Sequence, residues 1–176
     1  MLHKILLFVF PLLFSFPKDD NIIEWSASRK LTWADFKGAP DPNSTNAALT
    51  NSSITLGSEY SNKGGLKFSI KCKFNKLLSW GRIRNEYILN HEQGHFDIAE
   101  AHARLLKKNL DGYVFNSKTA GDDIQEIYNA TMKGHVSMQK QYDLLSNHSL
   151  DTAQQILWDK KIDSMLNDLQ EYSDYK

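Results

Sequence analysis

The sequence lacks the features that would point to a covalent scaffold or to binding by net charge. A single cysteine, Cys72, excludes an internal disulfide and a zinc cluster built on several thiolates. Lysine plus arginine and aspartate plus glutamate number 21 each, so no broad field of one sign favours nucleic acid or an anionic membrane surface. We therefore expect no nucleic-acid partner, and we expect Cys72 to be a small core residue.

The chain also lacks an apolar run long enough to cross a bilayer. The stretch from Ile5 to Phe16 is apolar-rich, but a transmembrane helix needs about 20 such residues. One lysine precedes this stretch, which is typical of a secretory signal peptide, and an uncleaved amphiphilic anchor is the alternative. The sequence predicts a signal peptide at 1–16 and one domain at 17–176. That domain would be secreted or periplasmic, in the bacterial cell envelope, without stable membrane insertion after cleavage.

Residues 91–95 read HExxH. On a helix, at about 100° per residue, His91 and His95 lie one turn apart on the same face. Both imidazoles can then bind one tetrahedral zinc ion at about 2.0–2.1 Å. Glu92 lies beside that face, where its carboxylate can take a proton from water, as in zinc peptidases. The motif predicts Zn²⁺ as cofactor, with Glu92 as general base. Two core histidines satisfied by hydrogen bonds are the alternative.

The residues around the motif favour a long helix. No proline occurs between Ile83 and Leu110, good helix formers follow the motif, and Gly112 is a suitable stop. Both motif histidines fall on the apolar stripe of this helix, which places them on its buried face.

The elements before and after this helix predict an α+β domain. Strict alternation over 66–74 indicates a strand, and residues 53–60 supply its hairpin partner across a turn at 62–65. Helical spacing indicates two further helices, one over about 123–145 and one starting near Asp151. We expect a small antiparallel sheet, then the HExxH helix and two more helices, in a zincin-like arrangement.

A catalytic zinc takes a third protein ligand, and spacing alone leaves it open. His102 lies about 10 Å along the axis from His95, too far to share a metal unless the helix breaks. His135 shares a stripe with apolar residues of the second helix and could face the metal. His148 precedes the third helix, and Asp143 is a further oxygen ligand to consider.

Several segments resemble one family, the bacterial domain-of-unknown-function 922 family, described as predicted secreted zinc-dependent proteases. The resemblance covers nearly the whole chain after the predicted signal peptide. It is carried by HEQGHFDIAEAHAR (91–104), LTWADFKGAP (31–40), Ala47–Thr50, the pair Ser79-Trp80, and YDLLSNHS (142–149).

In the tail, Tyr142, Asp143, Asn147 and His148 match that family's pattern, whereas Ser149 stands in place of glycine. The other two departures in the tail are Leu145, where an acidic residue is common, and Ser146, which replaces threonine. The resemblance implies His148 as the third zinc ligand in preference to His135, with Asp143 orienting an imidazole or replacing His148 as ligand.

These observations predict a secreted zinc-dependent peptidase whose partner is a peptide or protein substrate. Tyr142 is the candidate donor for the tetrahedral oxyanion, and the strand over 66–74 is a candidate edge for an extended substrate. The alternatives are a zinc-binding envelope interaction module without catalysis and an amidase acting on a non-peptide wall component. Retention of Glu92 argues against the module, because a structural zinc site needs no carboxylate to activate water.

Overall fold

A computed structural model describes residues 19–60 and 66–175 of the chain, except the Tyr60 side chain. The predicted signal peptide and hairpin turn lie outside these residues. The strands are β1 (Ile22–Glu24), β2 (Ala48–Leu49), β3 (Ser52–Tyr60), β4 (Leu66–Asn75) and β5 (Trp80–Gly81). The helices are α1 (Glu86–Asp111), α2 (Ala120–Leu145) and α3 (Thr152–Asp168), with 3-10 turns at Trp33–Asp35 and Gln170–Tyr172. The predicted α+β class is confirmed.

The strands form two small antiparallel sheets. One has the order β1-β4-β3, and the other pairs β2 with β5. In β4 the predicted alternation holds, since Ile70, Cys72 and Phe74 are buried while Lys67 and Lys71 are exposed. Because β1 pairs with Lys73, Phe74 and Asn75 of β4, that end of the predicted substrate edge at 66–74 is covered, and the use of the rest stays a prediction.

Helix α1 is the centre of the domain. It contacts the sheet through β3 and β4 and contacts both α2 and α3. Asn85 caps its start by accepting a hydrogen bond from the Ile88 N–H at 2.8 Å, and it ends before Gly112 as predicted. Most of its side chains are buried, including charged ones such as Glu100, which pairs with Arg104 at 3.0 Å. A helix enclosed in this way holds its side chains in fixed positions.

Two apolar clusters hold α1 in place. The larger one joins the sheet to α1 through residues such as Phe74 and Phe96, whose ring centroids lie 5.7 Å apart. The smaller one joins α1 to the other helices through Ile98, Tyr142, Trp158 and Ile162. None of the helices in the described ranges is long and apolar enough to cross a membrane.

The turn between α2 and α3 has an unusual backbone. Asn147, His148 and Ser149 have φ values of 50°, 52° and 73°, which is the left-handed region that favours glycine. Hydrogen bonds hold the turn, including His148 N–H to the Asp143 carbonyl at 2.8 Å and Asp151 N–H to the Ser146 carbonyl at 2.9 Å. Asp151 then caps α3, which starts where the sequence predicts, by accepting a hydrogen bond from the Gln154 N–H.

We expect Ser149→Gly to stabilise the protein by about 0.5–1 kcal/mol, because glycine adopts this φ without the steric cost a Cβ imposes. Thermal unfolding should show a rise of about 1–3 °C. The control is Ser137→Gly, an exposed helical position in α2, where the same change should lower stability. Equal losses at both positions would contradict a strained turn.

Candidate metal centre

Three side chains on α1 and α2 converge on one point. The Nε2 atoms of His91 and His95 lie 3.2 Å apart, and Asp143 Oδ1 lies 3.2 Å from the first and 3.0 Å from the second. Within the described part of the chain, the ligand atoms of these three side chains lie close enough together to hold one metal ion. Helix α1 supplies the two histidines one turn apart, and the last turn of α2 supplies the carboxylate.

Asp143 is held as an anion by the two imidazoles. Burial would raise the pKa of its carboxyl group, but the imidazoles of His91 and His95, which donate to it when their Nε2 atoms are protonated, outweigh this and hold the pKa well below its usual range. Burial likewise opposes a positive charge on His95, yet the Asp143 carboxylate raises the pKa of that imidazole. The centre of the triad therefore favours positive charge.

Gln155 of α3 sets the tautomer of His91. Its Nε2 donates to Asp159 Oδ1 at 2.7 Å and to the Tyr142 hydroxyl at 2.6 Å. A flipped amide would place its oxygen against the Asp159 carboxylate, so the orientation of the amide is fixed. Its Oε1 lies 2.9 Å from His91 Nδ1 and must accept a hydrogen bond from that nitrogen. A neutral His91 then carries its proton on Nδ1 and presents the lone pair of Nε2 to the triad.

Gln139 of α2 sets the tautomer of His95 in the same way. Its Nε2 donates to the backbone carbonyl of His95 at 2.9 Å, which leaves Oε1 to accept from His95 Nδ1 at 2.5 Å. The same Nε2 lies 2.9 Å from His135 Nε2, an acceptor in the neutral ring. His95 therefore also presents the lone pair of Nε2.

The consequence is that three acceptor atoms face one another. Two imidazole lone pairs and a carboxylate oxygen at 3.0–3.2 Å repel unless a cation lies among them. A proton bound to His95, whose pKa is raised, is one way to supply that positive charge, and a metal ion is the other. A tetrahedral ion with bonds of about 2.0–2.1 Å separates its ligand atoms by roughly 3.3 Å, close to the observed edges.

Glu92 lies next to the triad, and one oxygen of its carboxylate lacks a hydrogen-bond partner among the described residues. The residue is 3% exposed, and its Oε2 has no hydrogen-bond partner among the described residues. Burial raises the pKa of its carboxyl group, although the nearby imidazoles of His95 and His91 oppose this shift. A buried carboxylate oxygen without a partner costs free energy, and such groups in native proteins commonly have a functional role.

A cleft opens onto the triad. It has a volume of about 270 Å³ and lies between α1, the end of α2 and the segment 46–52. The Thr50 hydroxyl donates to the Glu92 backbone carbonyl at 3.1 Å and so ties that segment to the motif helix. The triad and Glu92 all line the cleft, so a molecule in it can reach both.

Of the predicted third ligands, the structure brings Asp143 into the triad. His148 Nδ1 lies 3.7 Å from Asp143 Oδ1, and its side chain is 58% exposed at the cleft rim. The left-handed turn directs His148 there, so the preference for it as third ligand is not supported. His135 lies one helical turn before Gln139 and contacts the triad only through that amide; burial lowers its pKa to about 4. Its ring also packs against His102, whose Nδ1 bonds the Ile98 carbonyl at 2.8 Å.

Tyr142 does not line the cleft, and its predicted role as an oxyanion donor is therefore wrong. The side chain is completely buried, its hydroxyl donates to the His91 carbonyl at 3.2 Å, and its ring stacks on His91 with centroids 4.5 Å apart. A Cβ at Gly94 would overlap this phenol, so glycine in the motif permits the close approach of α2. Tyr142 orients the imidazoles instead.

Gln139 and Gln155 are the site residues that the sequence prediction missed. Glutamine belongs to no motif here, but Gln139 lies four residues before Asp143 and four after His135, on the same face of α2. That spacing is a signal that could have been found. For Gln155 no comparable signal exists, because its role depends on how α3 packs against α1.

Comparison with known proteins places the chain in a family. The profile of bacterial proteins of unknown function designated DUF922 matches residues 26–149, which is more than half of the chain. No curated protein and no solved structure matches significantly. The matched range contains the triad and Glu92 but ends before α3 and Gln155. The predicted family is thereby confirmed: this protein belongs to the bacterial family DUF922.

Proposed function

We propose that this protein is an exported zinc-dependent peptidase, with zinc held by His91, His95 and Asp143. The observation that carries the proposal is the triangle of lone pairs whose tautomers Gln139 and Gln155 fix. Two imidazole nitrogens favour zinc over magnesium or calcium, which prefer all-oxygen sites. Export rests on the apolar segment at the start of the chain.

A catalytic site fits this arrangement better than a structural one. Structural zinc sites are closed by four protein ligands, whereas this triad has three and faces an open cleft. Within the described part of the chain, the buried Glu92 has no hydrogen-bond partner for its Oε2, which is unexpected in a purely structural site. These two observations favour hydrolysis over the envelope interaction module.

Bound zinc would supply Lewis-acid polarisation of a carbonyl group and a lowered pKa for water. The chain's own residues supply the rest of the chemistry. Glu92 takes the proton from the attacking water as general base and later gives it to the leaving amine. Burial raises the pKa of Glu92. A carboxyl group whose pKa is nearer to neutral pH can both take up the proton from water and release it to the amine. Gln139 and Gln155 keep both imidazoles in the ligating tautomer throughout.

The test is hydrolysis of a mixture of internally quenched peptides by the purified full chain. We expect chelation to lower the rate at least 100-fold and one equivalent of zinc to restore it, while magnesium and calcium do not. Activity that survives complete metal removal would contradict the metal role. A zinc-loaded protein that cleaves no peptide in the mixture would contradict the peptidase proposal.

A further inference from the structure

A second cavity continues from the cleft at its His148 end. It has a volume of about 530 Å³ and shares Asn46, Ala47, Ile88, His148 and Ser149 with the cleft, so the two form one continuous depression. A ligand held at the triad can therefore extend into the second cavity, which we call the side groove.

The side groove is lined by large apolar side chains that remain accessible. Ile83 is 53% exposed, Leu150 is 77% exposed and Tyr87 is 36% exposed, and the largely buried Ile88 lies between the groove and the cleft. Accessible apolar side chains gathered in one concavity, rather than scattered over the surface, are typical of ligand sites.

Arg82 is the charged residue in the lining of the side groove other than the titratable His148. The Arg82 guanidinium donates to the carbonyls of Asp41, Ser44 and Asn46 and lies 5.5 Å from the centroid of the Trp80 ring. Three of its five N–H donors thus hold it against the loop that forms the groove wall. An apolar group that enters the groove would meet the accessible apolar side chains there and would lose only water.

The cleft wall beside the groove also offers backbone groups. Arg82 N–H donates to the Ala47 carbonyl at 2.8 Å, and Ala48 lies opposite Gly81 in the ladder of β2 and β5. In an antiparallel ladder this register directs the N–H and C=O of Ala48 away from β5. No other strand of the described residues pairs with that side of β2, so an extended chain can pair there.

We propose that the side groove binds a large apolar side chain of an extended peptide substrate, next to the bond held at the triad. The peptide backbone pairs with β2 at Ala48, and the groove formed by Ile83, Tyr87, Ile88 and Leu150 takes the side chain. This inference rests on the proposed peptidase function and adds the class of residue that the enzyme selects.

The experiment uses two peptides that differ only in one residue beside the scissile bond, leucine in one and aspartate in the other. We expect the zinc-loaded full chain to cleave the leucine peptide with a kcat/KM at least 10-fold higher. The double variant Ile83→Asn/Leu150→Asn should reduce this ratio to below threefold. A ratio measured within one variant does not depend on how much of that variant is folded. Leu157→Asn, on an equally exposed side chain of α3 outside the groove, should keep the wild-type ratio.

A parallel measurement separates this inference from the proposed function. Binding of the same two peptides to the zinc-loaded Glu92→Gln variant is followed by fluorescence anisotropy, without any need for cleavage. Cleavage with equal kcat/KM for both peptides, or an unchanged ratio in the double variant, would overturn the groove while leaving the peptidase intact. Preferential binding of the leucine peptide without cleavage by the wild type would overturn the peptidase while supporting the groove.

Discussion

Asp143→Ala should lower the affinity for zinc at least 100-fold, measured by competition with a chromophoric chelator on the full chain. The carboxylate lies within 3.2 Å of both motif imidazole nitrogens and supplies the only negative charge of the triad. Removing it leaves two neutral nitrogens, and a site with two protein ligands binds zinc far more weakly than one with three. Because the Asp143 side chain is one-third exposed, its loss should not unfold the helix pair.

The matched controls are the other two predicted ligands. His148→Ala should change the zinc affinity by less than about fivefold, because its imidazole lies at the exposed rim of the cleft. His135→Ala should have an intermediate effect, since it orients Gln139 rather than the metal. A variant series in which His148→Ala abolishes zinc binding and Asp143→Ala does not would contradict the proposed ligand set.

Glu92→Gln should lower peptide hydrolysis about 100- to 10,000-fold while the zinc affinity stays within about threefold of wild type. Glutamine keeps the shape of the side chain but cannot accept a proton, and general-base catalysis contributes about 10²–10⁴-fold. Glu92 is not among the three converging atoms, so the metal should bind as before. Steady-state kinetics on zinc-loaded protein, with zinc content determined on the same sample, measures both quantities.

Glu126→Gln is the control for that substitution. It removes one carboxylate from the exposed face of α2, away from the cleft, and should leave both hydrolysis and zinc binding unchanged. If Glu92→Gln retained full hydrolytic activity, the general-base role would be wrong even with zinc present. If it lost zinc together with activity, Glu92 would be a ligand rather than a base.

The sequence predicted the parts of the site that one helix determines by itself. A period of 3.6 residues places His91 and His95 on the same face whatever surrounds the helix, and the absence of proline together with Gly112 predicts how far the helix extends. Tyr142 likewise lies within the helix predicted over about 123–145. The periodicity did not show that its hydroxyl would be used up by the His91 carbonyl.

The third position of the triad depended on features that periodicity does not describe. Asp143 lies in the last turn of α2, whereas His148 is the middle one of three left-handed residues whose turn directs it to the rim. Asparagine and histidine are enriched in that conformation but serine is not, so the sequence gave no signal of three such residues in a row. The strands β2 and β5 have two residues each, too few for any alternation to be read.

The most direct test of the zinc site is the anomalous diffraction of crystals of the full chain grown with zinc, collected on both sides of the zinc absorption edge. We predict one strong peak at about 2.0–2.1 Å from Nε2 of His91, Nε2 of His95 and a carboxylate oxygen of Asp143. The peak should face the cleft beside Glu92. No peak at the triad at saturating zinc, or a peak bound by His148 in place of Asp143, would contradict the account.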